Sequence, residues 1–274
     1  MRTWFITGAG RGFGALIAAE ALAQGDNVVA TTRDPSALAL QYHDNPRLLA
    51  LKLDVTDEAQ ALDAAAQAVK RFGRIDVLVN NAGYGLLGAV EEADAHEVVR
   101  QFQTNVFGLL AVTRAVLPHL RRQRSGHVIN ISSIGGYSAY PGWGVYGSTK
   151  FAIEGLSEAM AQELAPVGVK VTVVEPGFFR TDFLDATSLV STTQVIDDYD
   201  DTVGAMRRFA KDANHAQPGN PARLAKAILQ LVEAQNPPLR LPLGSDTVQR
   251  IEEKHRFVAA ELAQWRELAV STDF

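Results

Sequence analysis

Arg2-Thr-Trp-Phe-Ile-Thr-Gly-Ala-Gly-Arg-Gly-Phe-Gly14 is the stretch whose reading decides the fold. Residues 2 to 8 form a short apolar run closed by glycine, and a helical pattern follows from about Phe13 to Gln24. A strand therefore passes into a helix through a turn built on Gly8, Gly10, Gly12 and Gly14. Glycines at such a turn allow a tight bend and let backbone N–H groups approach a pyrophosphate at the helix N-terminus. The common G-x-G-x-x-G register, started at Gly8, fails at Phe13. The spacing that fits is Thr-Gly-x-x-x-Gly-x-Gly, through Gly8, Gly12 and Gly14. Placed between a first strand and a first helix, this loop favours dinucleotide binding over a plain turn.

Working outward, further apolar runs occur at 27–32, 48–55, 77–80, 127–132 and 169–174, with a short last one at 239–243. Helical stretches lie between them, such as the alanine-rich 58–72 and the pattern at 221–234. Near-continuous Val/Ile/Leu strands alternating with helices imply a parallel sheet covered on both faces. Right-handed crossovers then give an α/β, Rossmann-type doubly wound fold. Residues 95–122 read as one helix with an apolar stripe of Val99, Phe102, Val106, Leu109, Thr113, Val116 and Leu120. No linker divides the chain, so residues 1–274 read as a single dinucleotide-binding domain.

Two segments stand apart from this rhythm. Residues 178–220 are polar, weakly periodic and carry the acidic cluster Asp197, Asp198, Asp200 and Asp201. An insertion of that length in a compact domain is expected to be a substrate loop or lid. Residues 246–270 predict a C-terminal helix whose seam is Val248, Ile251, His255, Val258, Leu262 and Trp265. Packing of that seam on its own subunit is favoured over a subunit contact.

Composition excludes several classes. Apolar residues make up 47% and charged residues 21%, as in an ordinary globular protein. A net charge of −5 provides no general field for nucleic acid or an anionic membrane. The absence of cysteine removes disulfides, thiolate metal sites and a cysteine nucleophile. No signal peptide or spanning segment is legible, so a cytoplasmic location is expected. His96-Glu97-Val-Val-Arg misses the H-E-x-x-H zinc pattern, no G-x-S-x-G or P-loop occurs, and the scattered histidines suggest no metal site.

Tyr146-Gly-Ser-Thr-Lys150 places a phenol and an ammonium one helical turn apart on one face. A cation beside the phenol would lower its pKa from the usual ~10 and make it a usable acid or base. Ser133, at the end of the run Asn130-Ile-Ser-Ser133, could face that phenol across a cleft.

Together these motifs resemble the short-chain dehydrogenase/reductase family. The likeness rests on the glycine loop, Asn80-Asn-Ala-Gly83, Asn105 in Thr-Asn-Val-Phe-Gly, and Ser133 thirteen residues before Tyr146. It continues through Tyr146-x-x-x-Lys150 and Pro176-Gly177 with Thr181, spanning residues 7 to 181 in order. The resemblance implies an NAD(P)-dependent oxidoreductase that reduces a ketone or aldehyde, or runs the reverse. Tyr146 would be the acid or base, and Ser133 would polarise the carbonyl. Lys150 would tune the tyrosine and hold the nicotinamide ribose, and Asn105 would position a water of a proton relay. Gly8, Gly10, Arg11, Gly12, Phe13 and Gly14 would form the phosphate cradle. Asn81, Ala82 and Gly83 would line the adenosine ribose side, with Asp54 and Val55 at the adenine. Pro176, Gly177, Phe179 and Thr181 would hold the carboxamide end. Asp54 could instead cap the helix near Asp57, and Asn80 is better read as a brace between strands.

Cofactor choice turns on Ala30-Thr-Thr-Arg-Asp34. Thr32 occupies the slot where NAD-dependent relatives carry an acid, Arg33 follows it, and Arg11 lies in the glycine turn. Two guanidiniums suit a 2′-phosphate, so NADP(H) is expected, with Asp34 as the argument for NAD(H). Tyr84, Leu86, Leu87, Tyr137, Tyr140, Trp143, Phe179 and Phe183 flank the expected site and suggest an apolar or aromatic small-molecule substrate. Family members pair helices like those at 95–122 and 147–164, which implies a homodimer or homotetramer. The alternatives are a non-catalytic dinucleotide sensor and, behind it, a nucleotide-sugar epimerase or dehydratase. Sensors tend to lose a catalytic residue, whereas Asn105, Ser133, Tyr146 and Lys150 are all present.

Overall fold

In the computed structural model, which describes every residue except Asp44, the chain alternates strand and helix in the expected order. β1 (Thr3–Thr7), α1 (Gly12–Ala23), β2 (Asn27–Thr32), α2 (Ser36–Gln41) and β3 (Leu48–Lys52) come first. α3 (Glu58–Phe72), β4 (Val77–Asn80), β5 (Gly85–Leu87), α4 (Ala95–Phe102), α5 (Leu109–Gln123), β6 (Gly126–Ile131) and α6 (Gly144–Leu164) follow. The chain then runs through β7 (Val169–Pro176), β8 (Leu189–Ser191), α7 (Ala205–Ala213), α8 (Pro221–Glu233), β9 (Arg240–Leu243) and α9 (Ser245–Val270).

The main sheet has the order β3-β2-β1-β4-β6-β7-β9, with every neighbouring pair parallel. Phe5 of β1 lies beside Val29 of β2 on one side and Leu78 of β4 on the other. Strand order reverses between β1 and β4, and there the carboxyl ends of the strands open a crevice.

Successive residues of each strand feed opposite core layers. Trp4, Ile6, Val28, Ala30, Val77 and Val79 face α1 and α8, where Ile17, Ala18, Leu224 and Ile228 meet them. Phe5, Val29, Leu78 and Val128 face α3, α5 and α6. Because both faces are covered, β1 is buried at all five positions, and so its sequence shows no alternation. Ala61, Ala64, Ala65 and Ala68 give α3 a smooth buried face that can lie close to the sheet.

Four features differ from the sequence reading. The third strand stops at Lys52 rather than Val55, because Leu53 to Thr56 turn away into the cleft described below. The expected continuous helix at 95–122 is broken by a π-helical stretch, Gln103–Gly108, between α4 and α5. Gly108 sits against Val55, so that a Cβ there would come within 2.6 Å of its Cγ2. Such widened turns re-aim side chains and recur at functional sites. Residues 178–220 hold more structure than their polarity suggested: α7, short 3₁₀ turns, and β8, which pairs in parallel with β5.

The fourth difference is at the C-terminus. α9 meets the body only near its start, where Thr247 is buried and His255 bonds the Tyr137 hydroxyl. Beyond His255 the helix leaves the body, and Val258, Leu262 and Trp265 stay exposed. The apolar seam therefore does not pack on its own subunit as expected. No helix among the described residues is long and apolar enough to cross a membrane.

Candidate active site

The glycine turn is held from behind by the end of β4. The Thr7 hydroxyl oxygen accepts the backbone N–H groups of Asn81 and Ala82, both at 3.0 Å. The Asn81 amide in turn donates to the carbonyls of Thr7 and Gly8, at 3.0 and 3.1 Å. Gly8 and Gly12 have positive φ of 64° and 55°, a region open to glycine and strained for other residues. No side chain caps the start of α1, and no acid lies in its first turn. Its leading N–H groups and the positive end of its dipole are thus left to an anion. Asn81 braces this loop with its side chain, a structural task besides the cleft-lining one expected for it.

At the far side, β2 ends at Thr32 and Arg33 is exposed on the rim. Asp34 turns its carboxylate to the backbone N–H of Ser36, at 3.0 Å, opening α2. Arg11, expected to face the same ribose, donates instead to the Thr187 carbonyl at 2.7 Å. Asp54 accepts the N–H and hydroxyl of Thr56, at 3.0 and 2.7 Å, while Asp57 caps α3. Asn80 bonds Thr113 and Asn130, both at 2.9 Å, and so braces strand to helix and strand to strand.

The reactive end lies where β6 meets α6. Tyr146 is only 7% exposed. The Trp143 and Phe183 rings stand 5.5 and 5.6 Å from its own. Burial pushes the phenol well above its ordinary value, and the neighbouring Ser133 hydroxyl pulls it back by less. Lys150 donates to the Ile131 carbonyl at 2.9 Å, with its Nζ 5.7 Å from the tyrosine ring centre. Burial lowers the lysine to about 8, partly opposed by the charge of Glu154. The lowering expected from Lys150 is outweighed by burial of the phenol, whose pKa is raised overall.

Asn105 is carried inward on the π-helical stretch and is buried. Its amide donates to the Tyr84 carbonyl at 3.0 Å and to the Thr149 hydroxyl at 3.1 Å, and its oxygen accepts the Tyr84 N–H at 3.2 Å. The side chain expected to position a water is thus bonded to the loop after β4 and to α6.

Residues 178–220 fold over this end. Phe179 meets Phe13 edge to face at 5.4 Å. Phe183, Leu184, Leu189 and Met206 pack with Leu87, Trp143 and Tyr146. Asp246 accepts the Phe178 N–H at 2.7 Å beside Gly177, and Thr181 accepts from Phe183. A latch that sequence reading missed is Glu92, whose buried carboxylate accepts the N–H groups of Ala89 and Ile196 and pairs with Arg207. Of its three partners, Ile196 and Arg207 lie 104 and 115 positions away, so no local pattern marked the latch. At the rim, Asp182, Asp185 and His215 converge, although their spacing gave no metal signal; Asp185 pairs with His215 at 3.2 Å.

The glycine turn, the end of β2, the Ser133–Tyr146–Lys150 group and the start of the 178–220 segment line one cleft of about 1150 Å³. Every site residue expected from sequence borders it except Gly14, buried beneath the turn, and Asn105, buried beneath Tyr84. Of the flanking aromatic and apolar residues, Leu87 sits behind Trp143 and Tyr137 turns away to His255. Thr187, Ser188 and Val190 line it too, although only the length of their segment hinted at such a role.

A parallel sheet that switches direction above a glycine cradle, with serine, tyrosine and lysine at one cleft, is the arrangement the motifs anticipated. The family model for short chain dehydrogenase matches residues 2–189. The chain is a short-chain dehydrogenase. Among curated relatives it is 40% identical to oxidoreductase BOA17 of Botryotinia fuckeliana over 273 residues, 99% of each chain. It is also 40% identical to a 3-ketodihydrosphingosine reductase of Bacteroides thetaiotaomicron over 240 residues, 87% of this chain and 86% of that one. A solved short-chain dehydrogenase from Streptomyces avermitilis superposes with a TM-score of 0.92 at 41% identity, covering 100% of both chains. This short-chain dehydrogenase is accordingly an oxidoreductase.

Proposed function

We propose that this enzyme reduces an apolar or aromatic ketone or aldehyde to the alcohol with NADP(H), or runs the reverse, with Tyr146 as the acid. The observation that carries this reading is the buried phenol of Tyr146 on the wall of the cleft, beside Ser133 and one helical turn from Lys150. The cleft also fits a dinucleotide. The start of α1 lacks a protein cap, and a Cβ on Gly8 would crowd Ala82 and Asn81, so the turn is shaped for a close backbone approach.

A bound nicotinamide supplies or takes the hydride. The chain's own groups do the rest. The Ser133 hydroxyl donates a hydrogen bond to the carbonyl oxygen and favours the charge that develops there. The Tyr146 O–H transfers its proton to that oxygen, a step for which a neutral phenol is the required form. Lys150, held at the Ile131 carbonyl, favours the tyrosinate as it forms and offers donors to the ribose hydroxyls. Asn105 fixes Tyr84 and α6 around the lysine, which supports a proton route there. Trp143, Phe183, Leu184 and Val190 exclude water from the carbonyl and favour an apolar substrate. The 40% identical relative named for reducing a 3-keto compound agrees with a ketone.

NADP(H) over NAD(H) rests on Arg33, now without the help of Arg11. Asp34 serves the opening of α2, which weakens the case for a ribose-binding acid. Arg33→Asp is expected to raise the Michaelis constant for NADP by about tenfold or more, a loss of about 1.4 kcal/mol. An unchanged constant contradicts NADP preference.

Self-association belongs to the same reading. Val99, Phe107 and Phe151 remain exposed on α4, the π-helical stretch and α6, three apolar side chains that a partner subunit could cover. A dimer or tetramer is expected by light scattering, and a monomeric mass at micromolar concentration contradicts it.

A further inference from the structure

Behind Lys150 lies a second group of titratable side chains that the reaction above does not use. Glu154 follows Lys150 by one helical turn on α6, and Glu175 stands near the end of β7; both are buried, Glu175 completely. Ser132, at the end of β6, adjoins them. Arg240 of β9 closes the group, with Nε 3.1 Å from Glu154 Oε2 and 3.5 Å from Glu175 Oε1. Its Nη2 is taken by Glu158, one turn further along α6. The Tyr137 ring lies under the same guanidinium at 5.7 Å, and Tyr137 in turn bonds His255 of α9. These are the charged and titratable groups that face the pair from the surrounding elements.

The hydrogen-bond count of this group does not close if both acids are ionised. Ser132 Oγ, Glu154 Oε1 and both oxygens of Glu175 are buried without a hydrogen-bond partner. An ionised carboxylate only accepts, so two of them side by side cannot satisfy each other. Burying two negative charges against a guanidinium that Glu158 also holds is costly. One proton resolves both problems, because a protonated carboxyl donates to its neighbour and removes one of the two charges.

We propose that Glu154 and Glu175 share a single proton at neutral pH, and that the one negative charge left on the pair holds Lys150 as an ammonium. The two acids are then positioning residues, acting on the reaction through the lysine. This rests on the role given to Lys150 above. No bond other than O–H is made or broken: the proton sits between two carboxyl oxygens and leaves to solvent as the pH rises. Burial and the charge of Glu154 push the Glu175 carboxyl up to about 8, so that the pair gains its second charge just above neutrality.

The test has two arms on the full-length protein. Infrared spectra in deuterated buffer should contain the carbonyl stretch of a protonated carboxylic acid at pH 7. That band should vanish as the pH passes about 8, and should be missing from Glu175→Gln. Absence of the band in the wild-type protein at pH 7 overturns the shared proton, whatever the enzyme turns over. In the second arm, the double substitution Glu154→Gln with Glu175→Gln removes the charge of the pair whichever acid carries it, so turnover should be lost at lower pH than in the wild type. A shift of one pH unit corresponds to about tenfold less turnover on the alkaline limb. Glu154→Asp, which keeps the charge, should restore the limb most of the way. An alkaline limb that the double variant does not move overturns the link to Lys150, whereas a purely structural pair would lower turnover equally at every pH. Failure of the catalytic reading shows differently, as turnover that survives Tyr146→Phe, and it leaves the infrared band untouched.

Discussion

Tyr146→Phe should fold, bind the dinucleotide and lose about a hundred- to ten-thousand-fold of turnover, the range a positioned general acid contributes. The substitution deletes one oxygen and leaves the ring. The ring is what the fold uses, through Trp143 at 5.5 Å, Phe183 at 5.6 Å and the cluster with Leu87 and Ala210. The hydroxyl adjoins Ser133, which acts on its titration, and packing does not depend on it. Loss of packing is therefore small and loss of chemistry is large. Thermal denaturation and NADPH titration of the variant separate the two, and near-normal turnover would contradict the role assigned to the phenol.

Gly14→Ala should be the most damaging single methyl group in the cofactor cradle. Gly14 is an ordinary helical residue in α1, where alanine is intrinsically the better helix former. Its Cβ would nevertheless fall against the Gly8 carbonyl and within 2.6 Å of Asn81 Nδ2. Neither neighbour can yield easily, since the Gly8 carbonyl accepts the Asn81 amide and that same amide ties the loop to β4. Overpacking of this kind costs about 1–3 kcal/mol. If the loop gives way, the same energy appears as up to about hundredfold weaker dinucleotide binding. A denaturation curve with a binding titration reads both. Wild-type values in both would mean that the cradle is far softer than its contacts imply.

The sheet was legible from sequence because parallel strands buried on both faces must be largely apolar, as Val28, Val29 and Ala30 or Val173 and Val174 are. The glycine turn and the Tyr146–Lys150 pair were legible because their chemistry depends on short, fixed spacings. What escaped was settled by contacts distant in sequence. The π-helical stretch at Gln103–Gly108 answers to Val55 and Tyr84, and nothing in the stripe from Val99 to Leu120 forecasts it. Arg11 bonds a carbonyl 176 positions away. The balance of charge at Tyr146 and Lys150 depends on burial, which spacing on a helix does not report. The seam of α9 had the right period for packing, but period alone does not supply a partner surface.

The most direct measurement is NADPH absorbance on mixing the purified protein with a broad panel of apolar and aromatic ketones and aldehydes, run in parallel with Tyr146→Phe. Carbonyl reduction through Tyr146 predicts NADPH consumption by the wild-type protein with at least one such carbonyl, and almost none by a variant that binds NADPH equally well. Tight NADPH binding with no consumption across the panel, or consumption that the variant retains, would contradict it.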